Sequence, residues 1–162
     1  MWSSFVDEML KIASAVSASR DKFNKNLPKG SKVSLFPSMQ KQTTQMNIQA
    51  HDAPRAGKHF DLRIQDPERP IAHSWAIPRA SLPKKIGDKY LAVRQPDHRA
   101  SYMGFSGKLK QLHGEGQVDS QFHGPIQVAV STPGKVRFTH KDKDYLLHRT
   151  KSNKNWLIRR VR

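Results

Sequence analysis

The hydrophobic positions follow two different periods along the chain. In residues 3–18, four apolar side chains recur at intervals of four, three and four: Phe5, Met9, Ile12 and Val16. This spacing lines one face of a helix. From Thr43 onward the period changes to two, which is typical of strands with one buried face. The pattern therefore predicts an N-terminal amphipathic helix followed by β-structure.

Eight short segments carry the strand pattern, and turn signals rich in Pro, Gly, Asp and Asn separate them. The predicted strands are Thr43–Ala50, His59–Gln65, His73–Pro78, Tyr90–Gln95, Gln127–Ser131, Lys135–His140, Tyr145–His148 and Trp156–Arg160. Many short strands at close spacing predict an all-β, mainly antiparallel fold. Closure into a compact β-barrel removes unpaired edges, so we expect a barrel rather than a sandwich. The Gly-rich residues 104–116 lack a strand pattern and are predicted to be a long functional loop.

These patterns divide the chain into three parts. Residues 1–18 are the predicted helix, which we expect to pack on the barrel or on a protein partner. Residues 19–42 are polar and Lys-rich and are interpreted as a basic arm or linker. Residues 43–162 form the predicted β-barrel domain.

Composition excludes several classes of protein. The chain has no Cys, which excludes disulfides and Cys-based zinc sites. No apolar run approaches the roughly 20 residues that a membrane span needs. The N-terminus lacks an apolar secretory core, and Asp7 and Glu8 argue against a transit peptide. We therefore expect a cytoplasmic protein that does not act at a membrane.

The net charge points to a polyanionic partner. The chain has 29 Lys and Arg against 13 Asp and Glu, a formal charge of +16. Residues 134–162 alone hold ten basic and two acidic side chains, or +8. A solvated basic surface or an anionic-membrane binder would give the same excess, but no basic amphipathic helix is evident. Nucleic acid is the partner that we expect.

One cluster of histidines and a carboxylate carries candidate chemistry. On a strand, His59, Asp61 and Arg63 project to one face, and the intervening apolar residues to the other: Phe60, Leu62 and Ile64. An imidazole and a carboxylate can share a metal ion, and a guanidinium can hold a phosphate oxygen. His51 lies at the end of the preceding predicted strand. The loop 52–58 would turn the chain back and bring His51 close to His59 and Asp61. A polar outer face with a fortuitous His–Asp pair gives the same pattern.

A second cluster follows the strand that begins at Tyr90. His98, after Asp97, is a candidate to position or protonate a phosphate oxygen, and Tyr102 is a candidate donor nearby. A surface turn after a strand is the alternative. His113 is interpreted either as another wall of the site or as a loop residue. The other histidines are interpreted as ordinary surface or core residues: His73, His123, His140 and His148.

The ordered set of segments resembles the 3′-phosphoesterase domain of bacterial DNA ligase D, which also occurs as a stand-alone protein. The resemblance runs from about Ser19 to Arg160 and includes Gln49-Ala50-His51, His59-Phe60-Asp61-Leu62-Arg63-Ile64, Ser74-Trp75-Ala76-Ile77-Pro78-Arg79, Leu91-Ala92-Val93, Asp97-His98 with Tyr102, Phe105-Ser106-Gly107, Gly114-Glu115-Gly116 and Asn155-Trp156-Leu157. Each piece is weak by itself, and their common order makes the set specific.

This resemblance implies a compact β-barrel with a site for manganese or another divalent ion. It implies trimming of a ribonucleoside from a 3′ end and removal of the remaining 3′-phosphate. By position, the implied metal ligands are His51, His59 and Asp61. The implied catalytic residues are Arg63 and His98, which contact phosphate, and Tyr102, which supports them. The basic residues expected to bind nucleic acid are Arg79, Lys89 and Arg94.

Several positions depart from the family pattern. The interval from His51 to His59 is about two residues longer. Tyr90 stands where the family has Arg, and Pro96 where it has Glu. His113 replaces a Tyr, and no Trp-Asp follows Val118. The ligands are retained while the supporting residues differ.

The expected function is metal-dependent 3′-phosphoesterase activity on the 3′ ends of primer–template DNA during repair. RNA ends are an alternative substrate for the same site. A non-catalytic, basic nucleic-acid-binding subunit of a larger assembly, built on the same barrel, is the alternative of a different class.

Overall fold

The computed structural model describes residues 33–54, 57–109, 116–152 and 154–162. These ranges contain nine strands, eight of which correspond to the predicted strands. A short 3-10 turn at Ala100–Tyr102 interrupts them. The strands are β1 Met39–Ala53, β2 Gly57–Gln65, β3 Ile71–Ile77, β4 Lys89–Arg99, β5 Gly107–Leu109, β6 Gly116–Thr132, β7 Lys135–His140, β8 Lys143–Arg149 and β9 Asn155–Arg160.

Eight of these strands close into a barrel. The strand order is β1-β2-β3-β4-β9-β8-β7-β6, and β1 also pairs with β6 to complete the ring, while β5 adds to β6. Every pairing is antiparallel. The predicted all-β antiparallel barrel is therefore confirmed. The helix predicted for residues 3–18 lies outside the described residues, and no helix within the described ranges is long and apolar enough to cross a membrane.

Alternation along the strands builds the core inside the barrel. Leu62 and Ile64 of β2 are fully buried there, together with Trp75 of β3 and Ile158 of β9. The ring of Trp75 meets that of Trp156 edge-on, at a centroid distance of 5.3 Å, a favoured geometry for aromatic pairs. One face of each strand thus supplies the core, which leaves the other face free for polar side chains.

The barrel begins earlier in the chain than the pattern predicted. Phe36 is 2% exposed and its ring lies 4.7 Å from that of His73. β1 starts at Met39, so the last residues of the segment 19–42 are part of the barrel and not an arm.

The loop predicted for residues 104–116 is partly strand. β5 at Gly107–Leu109 pairs with the start of β6, and residues 110–115 lie outside the described ranges. β6 extends over Gly116–Thr132, although a strand was predicted only for Gln127–Ser131. Gly124 and Pro125, which sequence rules treat as strand breakers, lie within β6, where Pro125 pairs with Gln45 of β1.

Asp144 of β8 ties the C-terminus of the chain to the barrel. Its carboxylate accepts hydrogen bonds from Arg162 at 2.9 and 3.0 Å, from the Thr139 hydroxyl at 2.7 Å and from Arg137 at 3.4 Å. The backbone amide of Asp144 also donates to the carbonyl of Arg162 at 3.1 Å. The Arg162 guanidinium, followed by these other donors, holds the pKa of Asp144 well below its usual range.

We predict that Asp144→Asn destabilises the protein in a pH-dependent way. Because the pKa of Asp144 is lower in the folded protein than in the unfolded chain, its contribution is present above about pH 4 and is lost as the pH falls. At pH 7 the melting temperature should fall by about 2–4 °C, roughly 1 kcal/mol in a domain of this size. Calorimetry from pH 3 to pH 8 measures this difference, which should shrink below pH 4. Asp119→Asn, at an exposed position of β6, is the control, and an equal loss at all pH values would contradict the explanation.

Candidate metal and phosphate site

The candidate site lies on the outer face of β1 and β2. In their antiparallel register His51 lies opposite His59, and Gln49 lies opposite Asp61. Leu62 and Ile64 point into the barrel, so His59, Asp61 and Arg63 share the outer face. The alternation predicted that these three residues lie on one face. These outward side chains are nevertheless covered: Asp61 is 7% exposed and Arg63 is 3% exposed.

Two imidazoles and one carboxylate converge on this face. The ligand atoms of His51, His59 and Asp61 all lie within 4.8 Å of one another. His51 Nδ1 is 3.1 Å from one carboxylate oxygen of Asp61, and His59 Nε2 is 3.2 Å from the other. Two histidines and a carboxylate form a donor set that transition-metal ions bind in proteins. This chemistry fits a divalent metal ion.

The local backbone orients His59 for such a role. His59 Nδ1 lies 3.0 Å from the carbonyl oxygen of Gly57, to which it can donate its proton, so Nε2, on the Asp61 side, is the nitrogen that a metal ion would bind. A backbone carbonyl commonly fixes the tautomer of metal-binding histidines in this way. Gly57 has a φ of +72°, a left-handed conformation that favours glycine.

The Asp61 carboxylate is a stable anion in this cluster. Burial acts to raise its pKa, but hydrogen bonds with His51 and His59 and the charge of Arg63 outweigh burial, and the pKa lies well below the usual range. The hydrogen bond with Asp61 in turn raises the pKa of His59. A cation that binds here would take the place of the protons that the two imidazoles now share with the carboxylate.

Arg63 connects the outer face of β1 and β2 to residues 102–105. Its guanidinium lies 3.6 Å from Asp61 and donates a hydrogen bond to the side-chain oxygen of Gln49. The amide nitrogen of Gln49 donates to the carbonyl of Phe105 at 2.7 Å. The Arg63 guanidinium also lies 5.3 Å from the centre of the Tyr102 ring. The guanidinium is therefore held in one orientation beside His51, His59 and Asp61.

An irregularity in β4 brings His98 to the same face. Ser74 pairs with Gln95, but Ala72, two residues earlier in β3, pairs with His98. β4 thus holds one extra residue, which is the signature of a β-bulge. The bulge changes the alternation, so that His98 lies on the outer face. Burial and the charge of Arg63 lower the pKa of His98 to about 4, and the imidazole is neutral at pH 7.

Arg94 points the other way, into the barrel. Its guanidinium lies 4.8 Å from the Trp75 ring and donates to Asp97 at 3.1 Å, to His73 at 2.9 Å and to three backbone carbonyls. It is 7% exposed. Arg94 was expected to bind nucleic acid, but these contacts give it a structural role: with Asp97 and His73 it forms a buried charged cluster that holds the bulge of β4.

A scan against protein families matches residues 49–160, about two thirds of the chain, to the DNA ligase D 3′-phosphoesterase domain. The match spans every candidate metal ligand and both candidate phosphate-contact residues, Arg63 and His98. This chain belongs to the DNA ligase D 3′-phosphoesterase domain family. A search of curated proteins finds no match. Family membership makes the protein a phosphoesterase, a hydrolase of phosphate esters.

The remaining predicted residues of the phosphoesterase domain lie around this face or at one end of the barrel. The Tyr102 ring stacks on that of His98 at 5.7 Å. Arg79, which follows β3, is exposed, and its guanidinium lies 4.7 Å from the Tyr90 ring. Lys89 begins β4 and is exposed beside Arg159 of β9. His113 lies outside the described residues.

Two side chains of the phosphoesterase site had no role assigned from the sequence. Gln49 holds Arg63, and its position two residues before His51 could have placed it on the same face by alternation. Phe105 stacks on Tyr102 with a centroid distance of 5.1 Å. No sequence signal indicated this contact, because residues 104–116 lack a strand period.

We predict that Arg63→Met raises the pKa of His98 from about 4 toward its ordinary value near 6.5. Removing a nearby cation favours the protonated imidazole, while burial continues to oppose it. NMR titration of the His98 ring in chelator-treated protein measures this shift. Arg79→Met, which removes an exposed cation elsewhere, should leave the His98 titration unchanged. A pKa that stays near 4 in Arg63→Met would mean that Arg63 does not act on His98.

Proposed function

We propose that this phosphoesterase is metal-dependent and acts on the 3′ ends of DNA, where it releases a terminal ribonucleoside and then the remaining 3′-phosphate. The observation that carries the proposal is the convergence of His51, His59 and Asp61 ligand atoms within 4.8 Å, beside the guanidinium of Arg63. The match to the family domain supports the same reading.

His51, His59 and Asp61 would hold the ion, and manganese is the proposed metal because of the family resemblance. A bound divalent ion supplies a Lewis acid that offsets phosphate charge and lowers the pKa of a bound water. The mixture of imidazole and carboxylate donors is compatible with manganese and with other divalent transition metals.

Arg63, His98 and Tyr102 would bind the phosphate. The Arg63 guanidinium is pre-oriented by Gln49, so it can stabilise charge on a phosphate oxygen without reorganisation. His98 Nδ1 is buried with no hydrogen-bond partner in the part of the chain that the structure describes. As a neutral imidazole, His98 suits hydrogen-bond donation to a phosphate oxygen. Burial raises the pKa of Tyr102, which keeps its hydroxyl protonated as a second donor.

Arg79 and Lys89 would contact the nucleic-acid backbone at the barrel end where β4 begins. Both side chains are exposed, and the chain carries a formal charge of +16. Contacts of this kind position the duplex without reading its sequence. Arg94 is left out of this proposal because its guanidinium is bound inside the barrel.

The deciding experiment is cleavage of a labelled primer–template that ends in a 3′-ribonucleotide or a 3′-phosphate, with manganese or with chelator. We expect wild type to release both groups only with manganese, and His59→Ala to lose at least about 100-fold in rate, by analogy with removal of groups that support a metal site. His148→Ala, on β8 away from the site, is the matched control. An all-RNA primer tests the alternative substrate.

Binding of manganese is measured on the same proteins by titration calorimetry. Loss of both manganese binding and cleavage in His59→Ala would link the metal to the activity. Wild-type protein that binds the primer–template but never cleaves it, with or without manganese, would overturn the catalytic proposal and favour the non-catalytic binding subunit.

We also predict that Arg79→Ala and Lys89→Ala weaken primer–template binding by removing phosphate contacts. Each variant should reduce the slope of log affinity against log salt by about 1, whatever the DNA sequence. Fluorescence anisotropy at several salt concentrations measures the slope. Lys41→Ala removes an exposed charge near the opposite end of the barrel, and a slope change as large as that of Arg79→Ala would show that the contact is not local.

A further inference from the structure

An aromatic side chain is exposed beside the phosphate-binding residues. Phe105 is 38% exposed, one of four large hydrophobic side chains of the described residues that are exposed to this degree. Its ring is nearly parallel to that of Tyr102, with an angle of 23° between the planes. The Tyr102 ring lies in turn nearly parallel to that of His98, at 21°. Three rings thus form a ladder from the site to solvent.

The position of Phe105 is fixed rather than adaptable. Its backbone carbonyl accepts a hydrogen bond from the side-chain amide of Gln49 at 2.7 Å, and its backbone amide donates to the backbone carbonyl of Tyr102 at 3.3 Å. The ring also rests against Gly107, where an added Cβ would lie 3.0 Å from the Phe105 Cζ. A glycine with a φ of +149° at that position leaves the space that the ring occupies. Two hydrogen bonds fix the Phe105 backbone and Gly107 leaves room for its ring, so the exposed ring is preorganised for a partner.

The ladder also has a direction relative to the site. Arg63 packs against the Tyr102 ring, so the cation that would hold a phosphate lies on the inner part of the ladder. Phe105 lies one ring farther out. A nucleotide carries its charged phosphate and its flat base on opposite sides of the sugar, and the site offers a cation and a flat apolar surface in the same order.

We propose that Phe105 is a stacking platform for the nucleobase next to the phosphate that Arg63 and His98 bind. This inference rests on the proposed function and assigns a base subsite to it. Base–aromatic stacking tolerates every base because each has a π-face, so the subsite would bind 3′ ends without sequence preference.

The test measures stacking separately from cleavage. The probe is a primer–template with a 3′-phosphate and 2-aminopurine as its 3′-terminal base, bound in the presence of chelator so that no turnover occurs. Wild type should change the 2-aminopurine fluorescence, and Phe105→Ala should abolish the change and weaken binding by about 5- to 100-fold, the range for loss of one stacked base. Phe105→Trp should restore both. Val130→Ala, at a similarly exposed residue of β6 (39%), is the control.

A second probe carries an abasic residue at the 3′ end and keeps the phosphate. If stacking explains the loss, Phe105→Ala and wild type bind this probe equally. Equal weakening on both probes, or no change of fluorescence with wild type, would overturn the base subsite. Manganese-dependent cleavage is scored separately on the same proteins, so a catalytic protein with no stacking signal would disprove this inference alone, and stacking without cleavage would disprove only the proposed function.

Discussion

The site depends on one buried charge, the Asp61 carboxylate on the outer face of β2. Removing a carboxylate from water is costly unless hydrogen bonds and opposite charges compensate it. Here His51, His59 and Arg63 supply that compensation, and the low pKa of Asp61 shows that they outweigh burial. The same three side chains are the ones proposed to hold an ion and a phosphate. The stability of the anion and the chemistry of the site therefore come from one arrangement.

A β-bulge in β4 brings His98 close to this charge. Without the extra residue in β4, the alternation that puts Arg94 inside the barrel would put His98 there too. The buried cluster on the inner side stabilises the irregular backbone, since Asp97 accepts from Arg94 at 3.1 Å and from the amide of Ser34 at 2.9 Å. The segment before β1, which contains Ser34 and Phe36, thus supports from inside the barrel the part of β4 that carries His98. This segment therefore belongs to the barrel domain.

Sequence patterns predicted the regular part of this architecture. Period-two alternation located eight strands and put His59, Asp61 and Arg63 on one face, because alternation alone decides where side chains on a strand point. The irregular parts were beyond it. The inward position of Arg94 follows from its two-residue spacing from Ala92. Because Arg94 is charged, it was nevertheless interpreted as a surface residue that binds nucleic acid. The contacts of Phe105 arise from a segment with no hydrophobic period. Because Gly124 and Pro125 count as strand breakers, most of β6 was not predicted from the sequence.

The departures from the family pattern are accommodated by the structure near the site. Tyr90 replaces an Arg, but the Arg79 guanidinium lies over its ring at 4.7 Å, so a cation remains at this end of the barrel, supported by a cation–π contact. Pro96 replaces a Glu inside the bulge of β4. The backbone pairing of β3 and β4 is already interrupted there, so a residue without an N–H group is tolerated. Neither change touches the partners of Asp61. Positions 90 and 96 therefore differ from the family pattern without disturbing the buried charge.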